Sequence, residues 1–339
     1  MSFYPIQTED GTVSLYNIDV NDVYHSKVGA YTEALNKYVF PSGILEFART
    51  NHQLDILDVC YGLGYNSRTA VNEVLKVNPE INVNITAVEI DPVVLAFSII
   101  FGSECFNDDL NVVFFREISK QVDIQKTIKY HINNTANISP DIKNKITEKY
   151  KLIHPDAVEA KLHNIYYRSI STRNSIDIES NCSKVFVELL INDARTVFQN
   201  LNKNFDFIFH DPFTPSKTPV LWTVEFFKLL YKHLRDTGNV TTYSSAAPVR
   251  AGMIEAGFFV GQTKPIGKKT SGTIAYKNPE LVKNKLSVKE SGLLETKAGI
   301  PYMDETLDKT NEEILKHREF AQMNSNRISS GRFLKSLKK

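Results

Sequence analysis

The residues best suited to chemistry are an acidic residue that directly follows a predicted strand, then a proline and an aromatic ring. Residues 205–209 predict the buried strand, and residues 210–215 follow it with the sequence HDPFTP. A carboxylate and a backbone carbonyl placed there can accept the N–H bonds of an amine and aim its lone pair at an electrophilic carbon. The ring of Phe213 can contact the amine or a cationic sulfonium, and such a contact contributes about 1 kcal/mol of binding when water is excluded from it. Asp211 and Phe213 are therefore candidate catalytic residues, although the two prolines alone would also explain a simple turn.

A second candidate is a glycine turn between a predicted strand and a predicted helix. Residues 56–59 predict the strand, and Gly62 and Gly64 follow it. Glycines at this place let the backbone pass close to a ligand at the carboxyl end of a parallel sheet, although many such turns bind nothing. A dinucleotide site would have glycine or alanine three residues after Gly64, where this chain has Ser67. We predict that Asn66 caps the following helix.

Two further strand ends carry carboxylates. Glu89 follows Gly64 by 25 residues, which is near the usual spacing for a carboxylate that accepts the hydroxyls of a ribose. Asp91 precedes Pro92 and is predicted to cap a helix. Asp193 stands at a third junction, where it could accept from an adenine amino group or serve only as a helix cap. Together with the Asp-Pro-Phe sequence, these strand ends favour a methyltransferase over a dehydrogenase.

The elements that must position these residues alternate between strand and helix. Strands are predicted near 56–59, 83–90, 185–191, 205–209 and 240–243, and helices near 66–77, 92–101, 194–201, 220–234 and 248–256. This order predicts an α/β fold, a mostly parallel sheet with helices on both faces. A turn signal at residues 9–11 predicts a small β-hairpin at the amino terminus.

The predicted organisation has three parts. Residues 1–50 form the hairpin and a helical lead-in, residues 51–278 the main domain, and residues 279–339 a polar extension whose clearest helix lies at 312–317. Residues 119–182 separate two strands by far more than a normal crossover, so we predict a partly helical insertion there.

Composition limits the class of protein. The chain has 339 residues, 42% of them hydrophobic, and a formal net charge of +1, which excludes wholesale disorder and neither requires nor excludes a nucleic-acid partner. The three cysteines are far apart and give no disulfide or zinc pattern, and the eight histidines have no metal-ligand spacing. The amino terminus has no signal-peptide pattern, and the longest apolar run, residues 93–101, is too short to span a bilayer. We therefore expect a cytoplasmic protein without a metal site or membrane segment.

The stretch from Phe209 to Trp222, FHDPFTPSKTPVLW, resembles the signature of the tRNA (5-methylaminomethyl-2-thiouridine) methyltransferase family. Four other groups of segments agree with it: VYHS at 23–26 with residues 29–34, TYSS at 242–245 with Val249 and Arg250, AGF at 256–258, and GIPYMD at 299–304. The resemblance covers most of residues 7–118 and 185–320.

This resemblance implies a class I, Rossmann-like fold, S-adenosylmethionine as cofactor, and tRNA as partner. The implied reaction is methylation of the aminomethyl group of a wobble uridine. Bifunctional members carry an additional flavin oxidase half, which has no counterpart here. We therefore expect a standalone methyltransferase that receives its aminomethyl substrate from an upstream enzyme.

The resemblance and the strand ends together assign candidate site residues. The cofactor-binding candidates are Tyr24, His25, Tyr61, Gly62, Gly64, Asn66, Glu89, Ile90, Asp193, Ala194 and Asp211. The substrate-binding candidates are Lys217, Ser244, Arg250, Lys268 and Lys269. Tyr24 and His25 would close over the methionine end of the cofactor, although a lone histidine such as His25 is otherwise a surface or packing residue. Cationic side chains, including Lys264 and the acid-free run at 327–339, could contact RNA phosphates, although such a run is usually a solvated tail.

Four alternatives remain open from the sequence. A spermidine-synthase-like aminopropyltransferase would share the fold, but we would expect an acidic polyamine channel in place of the Pro-Phe sequence and the lysines. Another amine methyltransferase acting on RNA or a small molecule is a close variant. An NAD-dependent oxidoreductase lacks its third glycine here, and a non-catalytic RNA-binding module on the same fold would differ in binding no cofactor.

Overall fold

The computed structural model describes residues 2–102, 105–135, 138–173, 184–264 and 271–337, with the side chains of 165–173 left out. The chain divides into two compact units, Met1–Asp193 and Ala194–Lys339. The boundaries predicted at residues 50 and 278 do not coincide with this division and stay predictions.

The first unit opens with a small antiparallel sheet. Strand β1 (Phe3–Gln7) pairs with β2 (Val13–Asn17), β2 pairs with β3 (Asp22–Val23), and β1 also pairs with β6 (Lys151–Leu152). The predicted hairpin is therefore present, and its turn contains Gly11 at φ 84°. The carboxylate of Asp10 fixes this turn, because it accepts hydrogen bonds from the backbone N–H groups of Thr12 and Thr32.

Three parallel strands carry the glycine turn and the next two strand ends. Strands β4 (Gln53–Val59), β5 (Asn82–Glu89) and β7 (Val185–Ile191) are ordered β4-β5-β7. Helix α4 (Tyr65–Val77) follows β4, and α5 (Pro92–Phe101) follows β5. Because the strands are parallel, their carboxyl ends lie at one edge, which brings the turn after β4 beside Glu89.

The remaining helices of the first unit form a lead-in and an insertion. Helices α1 (Ala30–Ala34), α2 (Phe40–Ser42) and α3 (Ile44–Thr50) precede β4, with a π-helical turn at Leu35–Val39. Helices α6 (Asp108–Ser119), α7 (Ile124–Thr135), α8 (Pro140–Thr147) and α9 (Pro155–Arg173) lie between α5 and β7. The insertion is thus helical over most of its described length.

Side chains of the insertion support the amino-terminal sheet. His131 of α7 stacks on Phe3 at 4.2 Å between ring centroids and lies 3.0 Å from the Phe3 carbonyl oxygen through Nε2. Ile146 of α8 packs with Ile6 and Tyr16 in one buried cluster. These apolar contacts give the insertion a structural role in the first unit.

The second unit has four strands in the order β10-β11-β9-β8. Strand β8 (Phe205–His210) runs parallel to β9 (Leu234–Thr242), whereas β11 (Thr273–Tyr276) is antiparallel to both β9 and β10 (Phe259–Gln262). Helices α10 (Ala194–Asn200), α11 (Val224–His233) and α12 (Ala247–Glu255) lie among them. Strand β9 begins six residues before the predicted start at 240, and the two antiparallel strands were not predicted.

The polar extension is helical and packed. It contains α13 (Val288–Leu294), α14 (Asn311–Asn324) and α15 (Ser330–Ser336), and α14 begins with a capping box between Thr310 and Glu313. Before α14, the buried carboxylate of Asp304 forms an ion pair with Arg195 at 3.1 Å. Within the described residues, no helix is long and apolar enough to cross a membrane.

Candidate cofactor and active site

The glycine turn after β4 depends on both of its glycines. Gly62 and Gly64 have φ of 56° and 74°, a backbone conformation that favours glycine. A Cβ on Gly62 would lie 3.3 Å from the ring of Tyr24, and one on Gly64 would lie 2.2 Å from the ring of Tyr61. The turn therefore closes tightly over two tyrosine rings. The Tyr61 ring is buried between the turn and Phe114, on which it packs at 5.9 Å between ring centroids.

Glu89 joins the end of β5 to this turn. One carboxylate oxygen accepts from the backbone N–H of Gly62 at 2.8 Å, and the other accepts from the N–H groups of Ile90 and Asp91 at 2.8 and 3.0 Å. Burial raises the pKa of Glu89, although these N–H donors lower it. An ionised carboxylate has about four acceptor positions, so these three bonds leave room for a ribose hydroxyl.

The neighbouring residue supplies an apolar surface. Ile90 directly follows β5 and is 54% exposed, whereas the last residues of β5 are buried. An exposed aliphatic side chain beside a carboxylate that can accept a ribose hydroxyl is well placed to contact a flat aromatic base. The first unit thus has a close backbone turn, a buried acceptor and an apolar face together, which fits a nucleoside cofactor.

The two predicted helix caps have different outcomes. The Asp91 carboxylate accepts from the N–H of Val93 at 2.8 Å at the start of α5, so that prediction is confirmed. The prediction for Asn66 is wrong, because the helix begins at Tyr65 and Gly64 occupies the cap position without a side-chain bond. Asn66 is instead a buried residue inside the first turn of α4.

Tyr24 and His25 follow β3 and face different surroundings. The ring of Tyr24 contacts Gly62, and burial together with the nearby Glu89 charge raises its pKa well above the ordinary value. His25 is buried with its ring edge-on to Tyr65 at 5.2 Å, and its backbone N–H donates to Ser14. Burial lowers the pKa of His25 to about 4, so the ring is neutral. Tyr24 therefore lies against the glycine turn, whereas His25 is a buried residue that packs on Tyr65.

Asp193 ends the first unit at the carboxyl end of β7, and Ala194 begins α10 in the second. Asp193 is partly exposed, and its backbone N–H donates to Asn192 at 2.8 Å. Ala194 is buried. Asp193 therefore lies just beyond its strand, whereas Glu89 is the last residue of β5, and the role of Asp193 toward an adenine stays a prediction.

The Asp-Pro-Phe loop leaves β8 after His210. Asp211 and Phe213 are partly exposed, whereas Pro212 is buried. The Pro212 carbonyl accepts from the hydroxyl of Tyr243 at 3.0 Å, and the Phe213 carbonyl accepts from the indole N–H of Trp222 at 2.9 Å. The sequence indicated no functional role for Trp222 or Tyr243, although both lie in the segments that carry the family resemblance.

His210 lies beneath the loop in an aromatic cage. Its ring is fully buried and packs edge-on to Trp222 at 4.6 Å, with Phe226 and Phe227 at 5.6 and 5.7 Å. Burial lowers the pKa of His210 to about 3. At neutral pH the ring therefore carries no charge and supports the loop as an aromatic side chain.

Three of the substrate-binding candidates lie within the described residues. Lys217 is partly exposed and lies in the Asp-Pro-Phe loop, where its backbone N–H donates to the Thr214 carbonyl at 2.8 Å. Ser244 is buried at the end of β9, and its carbonyl accepts from Thr273 at 2.6 Å. Lys268 and Lys269 lie outside the described residues.

Arg250 differs from its predicted role as a cation for RNA phosphate. It is only 1% exposed, and its guanidinium donates to Thr273, Gly272 and Glu290 at 3.0, 3.1 and 2.7 Å. Burial alone would raise the pKa of Glu290, but hydrogen bonds from Ser287 and Arg250 outweigh this effect and lower that pKa to about 2. Arg250 therefore connects α12 to β11 and α13, and its guanidinium is buried rather than exposed at the surface.

Comparisons with known proteins agree with this geometry. A family model described as S-adenosyl-L-methionine-dependent methyltransferase matches residues 156–278. An uncharacterized protein of Methanocaldococcus jannaschii is 30% identical over 316 residues, which cover 93% of this chain and 71% of that protein. The crystal structure of MNMC2 from Aquifex aeolicus matches with a TM-score of 0.66 and 25% identity over 96% of this chain and 87% of that one. The chain belongs to the MnmC methyltransferase-like family.

Membership in the MnmC methyltransferase-like family makes the protein a class I, S-adenosylmethionine-dependent methyltransferase with the predicted α/β fold. A further relative is the tRNA 5-methylaminomethyl-2-thiouridine biosynthesis bifunctional protein MnmC of Ralstonia nicotianae. It is 35% identical over 95 residues, which are 28% of this chain and 14% of that protein. The match covers too little of that relative to assign its activity and substrate to this chain. Within the described residues, no group of three or more His, Cys, Asp or Glu side chains could hold a metal ion.

Proposed function

We propose that this methyltransferase methylates the amino nitrogen of 5-aminomethyluridine or its 2-thio form at the wobble position of tRNA. The product would be the 5-methylaminomethyl nucleoside. The observation that carries the proposal is the Asp211 loop, which has a partly exposed carboxylate and, two residues later, a partly exposed aromatic ring after a buried strand. The similarity to the bifunctional MnmC protein of Ralstonia nicotianae and to the MNMC2 structure supports the choice of substrate.

Asp211 performs the orienting step in this proposal. Its carboxylate accepts an N–H of the substrate amine, so that the nitrogen lone pair points along the line of attack. S-adenosylmethionine supplies a methyl carbon bound to a positively charged sulfur. The nitrogen forms a bond to that carbon as the carbon–sulfur bond breaks, and the sulfur leaves as a neutral thioether.

The amine must be unprotonated to react, because an ammonium has no lone pair. Removal from water disfavours the charged amine, whereas a nearby carboxylate favours it. Asp211 therefore acts as an orienting group that receives the released proton through water. Phe213 contacts the amine and the sulfonium and helps to exclude water from them.

A tRNA substrate requires cations that meet phosphates. The partly exposed Lys217 and the exposed Lys264 are candidates, and the described part of the acid-free tail adds Arg327, Arg332 and Lys335. Phosphate contacts of this kind make binding sensitive to salt. The aminomethyl group would come from an upstream enzyme, and a tRNA-modifying role would place the protein in the cytoplasm.

The test incubates the protein with labelled S-adenosylmethionine and tRNA that carries 5-aminomethyluridine, followed by nucleoside mass spectrometry. We expect methyl transfer by the wild type and a loss of about 100-fold in kcat for Asp211→Ala, because the amine loses its orienting group. Affinity for S-adenosylmethionine, measured by calorimetry, should stay within a few-fold.

The matched control is Asp236→Ala, which removes an exposed aspartate of the same unit and should leave the rate unchanged. A rate for Asp211→Ala within a few-fold of wild type would show that Asp211 does not orient the amine. Transfer to a diamine from decarboxylated S-adenosylmethionine, without transfer to tRNA, would instead support the aminopropyltransferase alternative.

A further inference from the structure

Three side chains donate to the backbone carbonyls of Pro212 and Phe213, the two residues that follow Asp211. The Tyr243 hydroxyl donates to the Pro212 carbonyl at 3.0 Å. The Phe213 carbonyl accepts twice, from the Trp222 indole N–H at 2.9 Å and from the Thr218 hydroxyl at 3.1 Å. We call these three donors the loop clamp.

The loop clamp is built on a rigid base. Trp222 is fully buried and packs edge-on to the rings of His210 at 4.6 Å and Tyr243 at 5.9 Å. Tyr243 directly follows β9, which pairs with β8, the strand that leads into the loop. Trp222 and Tyr243 therefore belong to a packed aromatic block, and the positions of these two donors are set independently of any bound substrate.

Backbone hydrogen bonds also shape the far end of the loop. Pro212 has no backbone N–H to donate, and the turn beyond it closes through two bonds to the Thr214 carbonyl, from the N–H groups of Lys217 and Thr218 at 2.8 and 3.1 Å. These bonds shape the far end of the loop. The clamp fixes the end that carries Asp211.

We propose that Tyr243 and Thr218 are positioning residues that aim the Asp211 carboxylate, with Trp222 as their shared structural anchor. This proposal rests on the role proposed above for Asp211. Neither residue touches the reacting atoms in our account; each acts through the carbonyl it holds. A loop free to shift by about 1 Å would lose a large part of its catalytic advantage, because methyl transfer depends on alignment.

The engaged carbonyls also define how an amine can bind. The sequence indicated that a backbone carbonyl would share the amine with the carboxylate. A carbonyl oxygen has two lone pairs, so the Pro212 carbonyl can accept one amine N–H while it holds the Tyr243 hydroxyl. Tyr243 therefore sets the direction from which that carbonyl can receive the amine.

The test compares variants that delete single donors. Tyr243→Phe removes one hydroxyl and keeps the ring, and Thr218→Val removes the other while keeping its volume. Each should lower kcat about tenfold, the typical effect of one lost hydrogen bond, with the affinity for S-adenosylmethionine unchanged by calorimetry. Thr218→Ser keeps the donor and should restore most of the rate. Tyr231→Phe is the control, since its ring packs on Phe258 outside the loop.

A second readout does not depend on the identity of the substrate. Hydrogen exchange of the Lys217 and Thr218 amides reports on the loop, and we expect faster exchange in Tyr243→Phe and Thr218→Val than in wild type and Tyr231→Phe. An inactive wild type would contradict the proposed function, whereas the exchange data would still test the clamp. The proposal would be overturned if both deletion variants had the exchange rates and kcat of wild type. It would also be overturned if Thr218→Ser had no higher kcat than Thr218→Val.

Discussion

Mild acid should destabilise this protein through two buried histidines. Burial lowers the pKa of His25 to about 4 and that of His210 to about 3, both below the ordinary 6.5. In the unfolded chain these rings take up protons below about pH 6.5, whereas the folded protein excludes them. The stabilisation that the neutral rings provide is therefore complete above that pH and is lost progressively as the pH falls toward 4 and below.

The size of the effect follows from the two pKa shifts. Between about pH 7 and about pH 5, each histidine should reduce the free energy of unfolding by roughly 2 kcal/mol, since one pKa unit corresponds to about 1.4 kcal/mol. The sum is a large share of the 5–15 kcal/mol that is typical of whole domains. His131 has a lowered pKa from burial and adds to the loss, whereas the raised pKa of Glu89 offsets part of it.

Urea unfolding at the two pH values measures the difference. His25→Phe and His210→Phe keep a ring in each aromatic contact and cannot titrate, so each variant should lose about half of the pH-dependent decline. The exposed His317 gives the control variant His317→Phe, which should decline as wild type does. If wild type kept the same free energy of unfolding at both values, or if the two buried variants declined as steeply as wild type, the assignment of the effect to these rings would be refuted.

Two other predictions concern a strained residue and the tail. Cys60 has φ 65°, a left-handed conformation that is costly for a residue with a Cβ, so Cys60→Gly should raise the free energy of unfolding by about 0.5 kcal/mol in urea titrations, and a decrease would mean that contacts of the Cys60 side chain outweigh the strain. Deletion of residues 327–339 should weaken tRNA binding and flatten its salt dependence in filter-binding assays between about 50 and 200 mM salt; an unchanged slope would mark the segment as a solvated tail.

Local sequence signals were sufficient for most of the fold. The bounds predicted for β7 and α5 coincide with the observed Val185–Ile191 and Pro92–Phe101. These segments begin and end at abrupt changes between apolar and polar residues, and Pro92 marks the start of its helix. The amino-terminal hairpin was predictable for the same reason, because its turn residues lie between two short apolar runs.

Elements that depend on distant partners were not predictable. Strands β10 and β11 have four residues each and are defined by pairing with one another and with β9. So short a run carries no clear period of its own. Asn66 failed as a cap for a related reason: Gly64 adopts φ 74° and takes the cap position, so the helix begins two residues earlier than a cap at Asn66 would allow.

The site shows the same division between local and distant information. Glu89 and Asp211 were found because each lies within two residues of the end of a predicted strand. The burial of Arg250 was not foreseen, because its charge is compensated by Glu290, forty residues later, across elements whose packing the sequence does not reveal. A buried arginine and a surface arginine look alike until the partner is known.

The length of the Asp-to-Trp signature has a physical explanation in the loop clamp. An acidic residue, a proline and an aromatic ring can place an amine acceptor after a strand, but they cannot hold it still, because the proline lacks an N–H and the next carbonyl needs a donor. Thr218 and Trp222 supply that donor within the same segment, seven and eleven residues after Asp211. A residue type required by a hydrogen bond to the loop is restricted as strongly as one required by chemistry. The signature therefore extends to Trp222 because the carboxylate and the donors that fix its loop form one functional unit.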